Sequence, residues 1–413
     1  MTTPIKIALI REGKTPPDSR VALTPRQAAS LDARPEFDVV VQPSPGRCFR
    51  DSAYEEAGVR LQEDLSDRDV LIGVKEVPTE QLVPDKTYFF FSHTHKRQPY
   101  NRGLLQAVVD KGVRLIDYEL LKNEAGARYI AFGRFAGMVG AHHGLRAWGL
   151  REGTFELPQL IEMDDYAAAQ EAYAKTDFGD VRVVLTGTGR VGEGAAEVLR
   201  DMGAREFKPK AYLQEMASGK QNKGFTFTQL NVKHYVNLRG HPGAPVKKRE
   251  FYNFPERYES RFHSYAQVSD VLVHGIFWDN RAAAMFSTDQ MAGEEFCVSV
   301  ISDVTCDIAP VTSIPATIRA STIADPYFGF DPRTGEEVEA FAKTAVTMST
   351  IDNLPNELPK DASRAFGEMF LAHVADELLL PTSSALDGAT IARDGALTPA
   401  YAYLADYLAG EGE

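Results

Sequence analysis

Lys75 follows directly on an apolar run at residues 69–74, and His93 and His95 follow another at 87–92. A lysine at the C-terminal end of a buried parallel strand sits where α/β domains place their ligands. Partial burial there lowers its pKa toward that of a useful base. A histidine in the same setting can relay a proton near neutral pH. His93 and His95 share one face if the strand continues through them. That would also suit a metal, but no third ligand accompanies them. The loop at residues 11–25, REGKTPPDSRVALTP, adds Arg11, Lys14, Asp18 and Arg20. Arg20 lies just before a helix start at Thr24-Pro25, where a cation gains nothing from the helix dipole. A charge kept there either points at a carboxylate or is an ordinary surface arginine. A further strand at residues 112–118 ends in Asp117, Tyr118 and Glu119. Strand ends near residues 10, 75, 92 and 117 thus all carry polar groups. This is the pattern of one α/β domain with its cleft on one side.

A second chemistry is written at residues 181–202, VRVVLTGTGRVGEGAAEVLRDM. A β-branched run leads into Gly187, Gly189 and Gly192 in GxGxxG spacing. Val191, Ala195, Val198, Leu199 and Met202 then recur at helical spacing, and Gly203 marks a stop. In a strand–turn–helix unit the three glycines serve the tight turn, the approach of a pyrophosphate and close helix–strand packing. The helix start offers free N–H groups to the phosphates. The alternative is a packing turn that binds nothing. An acid for the ribose 2′-hydroxyl is expected about 20 residues on. Glu206 comes early, and Lys208 and Lys210 occupy the expected strand end. Two cations there suit a 2′-phosphate better than a bare ribose, or else they are solvated strand-end charges. The cofactor is therefore NAD or NADP.

The elements that must position these groups need two domains, because 413 residues exceed one ordinary core. A small-residue-rich helix at 136–150 bridges to the second domain, and its His142 and His143 read as packing residues. Strands at 225–230, 271–273 and 296–301 follow, the last leading to Asp307, with a polar excursion at 239–262 between them. An amphipathic helix at 361–380 returns the chain to the first domain, and a short polar tail ends it. The net charge of −13 argues against a nucleic-acid partner. Cys48, Cys297 and Cys306 form no metal or disulfide pattern, which points to a reducing compartment. The first residues lead into a strand rather than a signal peptide, and no apolar run could span a membrane. The expected setting is the cytoplasm, with small-molecule partners, no membrane, no metal, and the oligomeric state open.

Several segments together resemble one family. They are KTPPDSRVALTP (14–25), GVKEVP (73–78), FFFSHTHKRQ (89–98), DYELL (117–121), AFGRFAG (131–137), TGTGRVGEGAAEV (186–198), ISDVTCDI (301–308) and IDNLPNELPKDAS (351–363). They look like the lysine-forming saccharopine dehydrogenases. They look most like the lysine–2-oxoglutarate reductase portion of the bifunctional lysine-degrading enzyme, within the alanine dehydrogenase and transhydrogenase group. The resemblance implies an α/β protein of two Rossmann-like domains with parallel sheets and the active-site cleft between them. Residues 1–138 plus 335–413 would form the substrate domain and 139–334 the dinucleotide domain. The implied reaction condenses lysine with 2-oxoglutarate to an imine, which NAD(P)H reduces to saccharopine. By motif, Lys75 and His93 match the acid–base pair. Lys14, Arg20, Lys96 and Glu119 fall with the substrate site. Gly187, Gly189, Arg190, Val191, Gly192, Lys210 and Asp307 fall with the cofactor. The chain departs from the family in lacking a ribose acid, in carrying the 239–262 excursion, and in not containing the second catalytic domain of the bifunctional proteins. Two alternatives stand beside this reading: an alanine-dehydrogenase-type amino-acid dehydrogenase, and a cofactor-binding homologue without turnover.

Overall fold

Short apolar runs alternating with amphipathic ones fold as parallel strands joined by helices. The computed structural model describes residues 3–217 and 224–410. The chain divides into two compact units, Met1–Phe132 with Pro359–Glu413, and Gly133–Leu358.

The first unit opens with β1 (Ile5–Leu9), α1 (Pro25–Asp32), β2 (Phe37–Val41), β3 (Arg60–Leu61), β4 (Val70–Ile72), β5 (Thr87–Phe90), α2 (Arg102–Asp110) and β6 (Arg114–Asp117). These six strands pair parallel. Their runs are apolar on both faces because both are covered. Ile7, Leu9, Val39, Ile72 and Phe89 enter one core with Leu31 of α1. Ala8, Val40, Leu71, Tyr88 and Phe90 enter the other with Leu105 and Val108 of α2. The two-residue period of a strand makes that division. Thr24 caps α1 in a capping box with Gln27, with Pro25 in its first turn. Such a cap contributes about 1 kcal/mol.

The second unit begins with the helix α3 (Gly133–Glu152), then β7 (Arg182–Thr186), α4 (Arg190–Asp201), β8 (Arg205–Phe207) and β9 (Thr226–Leu230). The hairpin β10 (Val236–Leu238) and β11 (Tyr258–Ser260) follows, then β12 (Val271–His274), β13 (Val300–Asp303), β14 (Phe328–Asp331), β15 (Glu336–Val338) and β16 (Val346–Ser349). The sheet order is β15-β14-β16-β13-β12-β7-β9-β8, parallel except at β14 and β15. The strand beside β7 is therefore β9, and β8 is the edge.

The chain then returns through α5 (Pro359–His373) to β17 (Thr390–Arg393) and β18 (Ala396–Leu397). They complete the first sheet, in order β18-β17-β6-β5-β4-β1-β2-β3. Both units are Rossmann-like. Among the described residues no helix is long and apolar enough to cross a membrane.

Several boundaries differ from expectation. The unit divisions expected at 138/139 and 334/335 fall at 132/133 and 358/359, because β16 pairs with β13 and stays in the second unit. The strand expected at 296–301 is β13, which starts at Val300. The 239–262 excursion holds the helix Lys248–Asn253 and strand β11. The tail after Leu380 is structured: β17 pairs antiparallel with β6.

Glycine lets α3 and α4 touch at the backbone. A Cβ at Gly137 would lie 1.8 Å from the Val191 carbonyl oxygen, and one at Gly194 would lie 2.0 Å from that of Arg134. Gly137→Ala should therefore cost about 2 kcal/mol or more through overpacking. Gly103→Ala, in open space on α2, should be neutral or gain up to about 1 kcal/mol. Urea unfolding of both variants checks this; equal midpoints would contradict it.

Candidate active site

Lys75 lies three residues beyond β4, and its setting is built by a carboxylate from another strand end. Glu12, just past β1, accepts the Val74 N–H at 2.7 Å and the Lys75 N–H at 2.8 Å. This joins the ends of two neighbouring parallel strands. Burial pushes the Glu12 carboxyl up to about 8 against those two hydrogen bonds, so it keeps its proton at neutral pH. The Lys75 amine is held below its ordinary value, first by burial and then by the charges of Arg20 and Lys14. That is the condition a lysine needs to act as a base.

Glu76, the next residue, stands between His93 and Lys14. Its Oε1 lies 2.6 Å from His93 Nδ1 and its Oε2 lies 2.9 Å from Lys14 Nζ. Burial works to raise its pKa, but the bonds from His93 and Lys14 outweigh burial and hold it down to about 2. Glu76 is thus an anion that orients His93 through its Nδ1 and leaves Nε2 for other work. His93 adopts a left-handed backbone (φ 53°) and stacks on Phe91. A non-glycine residue in that region stores local strain, which clusters at functional sites.

Glu119, at the end of β6, gathers a second set. Its carboxylate lies 2.9 Å from Lys96 Nζ, 2.7 Å from Arg128 Nη2 and 3.4 Å from His95 Nε2. Burial raises the Glu119 pKa less than Lys96 and its neighbours lower it. Asp117 is fully buried and accepts the Ser92 N–H at 2.9 Å and the Ser92 hydroxyl at 2.6 Å. His93 and His95 therefore do not share a face; each meets a different carboxylate. Among the described residues no group of three or more His, Cys, Asp or Glu could hold a metal ion.

Arg20 is not at the surface. Its guanidinium is 2% exposed, lies over the Phe132 ring at 4.3 Å, and meets Asp18 at 2.9 and 2.5 Å. The carboxylate it faces belongs to its own loop. Sequence reasoning missed Glu12, the pairing role of Asp18, and Glu76 as the partner of His93. A carboxylate three or four residues beyond a strand end, as at positions 12 and 76, was the available signal.

In the second unit, Gly187 has φ +100° and its Cβ would lie 2.1 Å from the Gly275 carbonyl oxygen. A Cβ at Gly192 would lie 2.1 Å from the Gly187 carbonyl oxygen. Both positions are filled by close backbone contact. Gly189, at the N-cap of α4, faces open space with nothing within 4 Å. This is the cradle a pyrophosphate needs, so the turn fits a dinucleotide. Arg190 is exposed in the first turn of α4, whereas Val191 lies against Gly275. Lys208 and Lys210 are exposed beyond β8, one strand further from β7 than the expected ribose position. The reason is that β9 has entered between. Asp307 is half-buried and lines an open hollow of about 400 Å³ with Phe277, Trp278 and Arg281. Its loop is held by buried Asp303, which accepts the N–H groups of Thr305 and Cys306 at 3.1 Å and the Thr317 hydroxyl at 2.6 Å. His142 and His143 are buried packing residues, bonded to Tyr173 and Pro158 and to Tyr327 and Glu357.

Residues 8–139 match the family model of the alanine dehydrogenase/PNT N-terminal domain. The chain is 29% identical over 442 residues to the mitochondrial alpha-aminoadipic semialdehyde synthase of Bos taurus, covering 96% of this chain and 47% of that protein. It is 27% identical over 393 residues to the saccharopine dehydrogenase [NAD(+), L-lysine-forming] of Yarrowia lipolytica, covering 90% of this chain and 92% of that protein. The chain spans about half the length of the synthases it matches. Among solved structures it resembles an L-alanine dehydrogenase, with a TM-score of 0.66 and 18% identity over 98% of this chain and all of that one. That likeness concerns the fold. The homologues bear out the resemblance read from the motifs.

Glu12 sets a pH test. Its folded pKa lies above that of the unfolded chain, so its contribution is fully present below about pH 4.5 and is lost as pH rises through about 8. Wild type should lose stability relative to Glu12→Gln over pH 5 to 8, with a slope of at most about 1.4 kcal/mol per pH unit. Urea unfolding of the pair across that range checks it, and parallel pH profiles would contradict it.

Proposed function

We propose that this homologue of the saccharopine dehydrogenases and alpha-aminoadipic semialdehyde synthases interconverts lysine plus 2-oxoglutarate with saccharopine, using NAD or NADP. The broader reading, an oxidoreductase of amino-acid substrates, rests on the relatives. The narrower one rests on Lys75, Glu76, His93 and Lys14, a pKa-depressed lysine together with a histidine oriented by a carboxylate. In this reading the first unit handles substrate and the second holds the dinucleotide.

The chain's own groups divide the work as follows. Lys75, its amine destabilised as a cation by burial, takes the proton from the secondary amine of saccharopine as that C–N bond is oxidised to the imine. When bound, the nicotinamide supplies the complementary two-electron chemistry at the adjacent carbon. Water then adds to the imine. His93 moves the proton between the oxygen and nitrogen of the carbinolamine, and the C–N bond breaks to give lysine and 2-oxoglutarate. In the other direction the same groups return the protons. Saccharopine carries three carboxylates, and Lys14 and Lys96 are accessible lysines of the two clusters, with 27% and 41% of their side chains exposed. A substrate carboxylate at either would share the lysine with Glu76 or Glu119. Arg20, already paired with Asp18, would serve by holding the loop that carries Lys14 and by its charge on Lys75.

The test is an absorbance assay of reduced cofactor with lysine and 2-oxoglutarate, in parallel with pyruvate and ammonia. Consumption that requires both lysine and 2-oxoglutarate supports the proposal. Consumption only with pyruvate and ammonia replaces it with an alanine-type dehydrogenase, and cofactor binding without turnover on either pair replaces it with a non-catalytic homologue. Lys75→Met should lower kcat by about a hundredfold or more, in the range of a lost acid–base group, while cofactor affinity changes by less than about threefold, under 1 kcal/mol. Equal losses in both would assign Lys75 to structure instead.

A further inference from the structure

One face of the first sheet is closed unevenly. The core that holds Ala8, Val40, Leu71 and Tyr88 takes Leu104, Leu105 and Val108 from α2. It takes Leu65 from the loop after β3, and Val77, Leu82 and Val83 from the segment after β4. Both of these segments line a pocket of about 410 Å³, within the roughly 300–1,000 Å³ range of small-molecule sites. Its floor is apolar, built from Ile10, Leu65, Leu71, Val77, Val83 and Tyr88. The Val83 N–H donates to the Tyr88 hydroxyl at 2.8 Å and ties the segment after β4 to β5. The rim is polar. Arg11, Gln42, Glu63 and Asp64 stand just past the carboxyl ends of β1, β2 and β3, where open α/β sheets take their ligands. The pocket is separate from the Lys75 and His93 cluster. Val74 belongs to the opposite core with Leu31, and Phe91, on which His93 stacks, packs against that same core.

The rim carries one cation and two carboxylates. Arg11 pairs with Glu63. Gln42 holds both segments in place: its side-chain oxygen accepts the Arg11 N–H at 3.1 Å, and its NH2 group donates to the Glu63 carbonyl at 3.4 Å. The side chains of Arg11 and Glu63 are 32% and 67% exposed. An ion pair that wet contributes little, so little is lost when it opens. A ligand that offers a carboxylate to Arg11 and an ammonium to Glu63 replaces the pair with two charge-assisted contacts. Asp64 adds a second negative charge beside the ammonium. An anion alone would have to displace Glu63 and face two carboxylates. A cation alone would have to displace Arg11. A wholly apolar molecule would gain nothing from the rim.

We infer that this pocket binds an α-amino acid with a branched apolar side chain. Its carboxylate lies on Arg11, its ammonium on Glu63 and Asp64, and its side chain on the apolar floor. The site is independent of the proposed reaction. Arg11 adjoins Glu12, whose carboxyl accepts the Val74 and Lys75 N–H groups, and Val77 of the floor closely follows Lys75 in the chain. The occupant is thus linked through both segments to the strand end that carries Lys75, as an effector and not as a substrate.

Calorimetric titration of the full chain with L-leucine tests this. Binding should saturate, and should be at least about tenfold tighter than for isocaproate, which lacks the ammonium, or isopentylamine, which lacks the carboxylate, because each loses one charge-assisted contact. Arg11→Met should weaken leucine by a similar factor and tighten isopentylamine, because Glu63 is freed. Glu63→Gln should weaken leucine and tighten isocaproate, because Arg11 is freed. A merely structural role for the pair would not produce that reciprocal change, and unchanged urea midpoints show that both variants fold. No saturable binding of leucine up to about 10 mM overturns the inference, and so does isocaproate binding as tightly as leucine. Leucine binding that survives both substitutions but is lost in Lys14→Ala belongs to the Lys75 cluster and overturns it as well.

Discussion

Parallel pairing is the constraint from which the rest of each unit follows. Parallel strands need a crossover for every connection, so helices cover both faces of the sheet and the strands become apolar throughout. Ile7 and Ala8, adjacent in β1, enter opposite cores for this reason. Polar groups then have one place left near the sheet, the strand ends. In the first unit Glu12, Lys75, His93 and Glu119 lie two or three residues beyond the ends of β1, β4, β5 and β6. In the second unit the same edge carries the glycine turn, the buried His274 at the end of β12, and Asp303 with the loop to Asp307.

Charges in such a place are partly desolvated, and the structure handles them in three ways. Arg20 and Asp18 neutralise each other in a bidentate pair, both almost wholly out of water. Glu76 stays ionised through its bonds to Lys14 and His93, and Glu119 through its bonds to Lys96 and Arg128. Glu12 takes the remaining course and keeps its proton, because its hydrogen bonds to Val74 and Lys75 are too few to offset burial. The charge of Lys75 is offset only in lesser part, by Asp18 and Glu76. It is pushed toward neutrality by burial and by the cations that the other pairs retain. A lysine amine with a lowered pKa is thereby produced by what surrounds it.

Much of this was legible locally. The capping box at Thr24, the glycine spacing at 187, 189 and 192, and the apolar runs ending at Lys75 and His93 each lie within a few residues of chain. Period-two and period-3.6 patterns report burial in the element that carries them. The packing role of His142 and His143 was legible for the same reason, from the small residues around them. What escaped were pairings across long separations. Glu12 meets Lys75, and β17 reaches β6 from the far end of the chain. Neither partner carries a mark of the other in its own neighbourhood.

The sequence by itself determined the two α/β units, the positions of the strand ends, and which residue types stand at them. These follow from local hydrophobic periodicity and turn chemistry. Only the tertiary structure decided which strand lies beside which, and hence which side chains meet. Lys208 and Lys210 look like ribose neighbours when the strands are read in chain order. The insertion of β9 against β7 puts the end of β9, and not that of β8, beside the glycine turn. Strand order is fixed by how whole faces pack and how crossovers close, and no window of sequence around either strand contains that information.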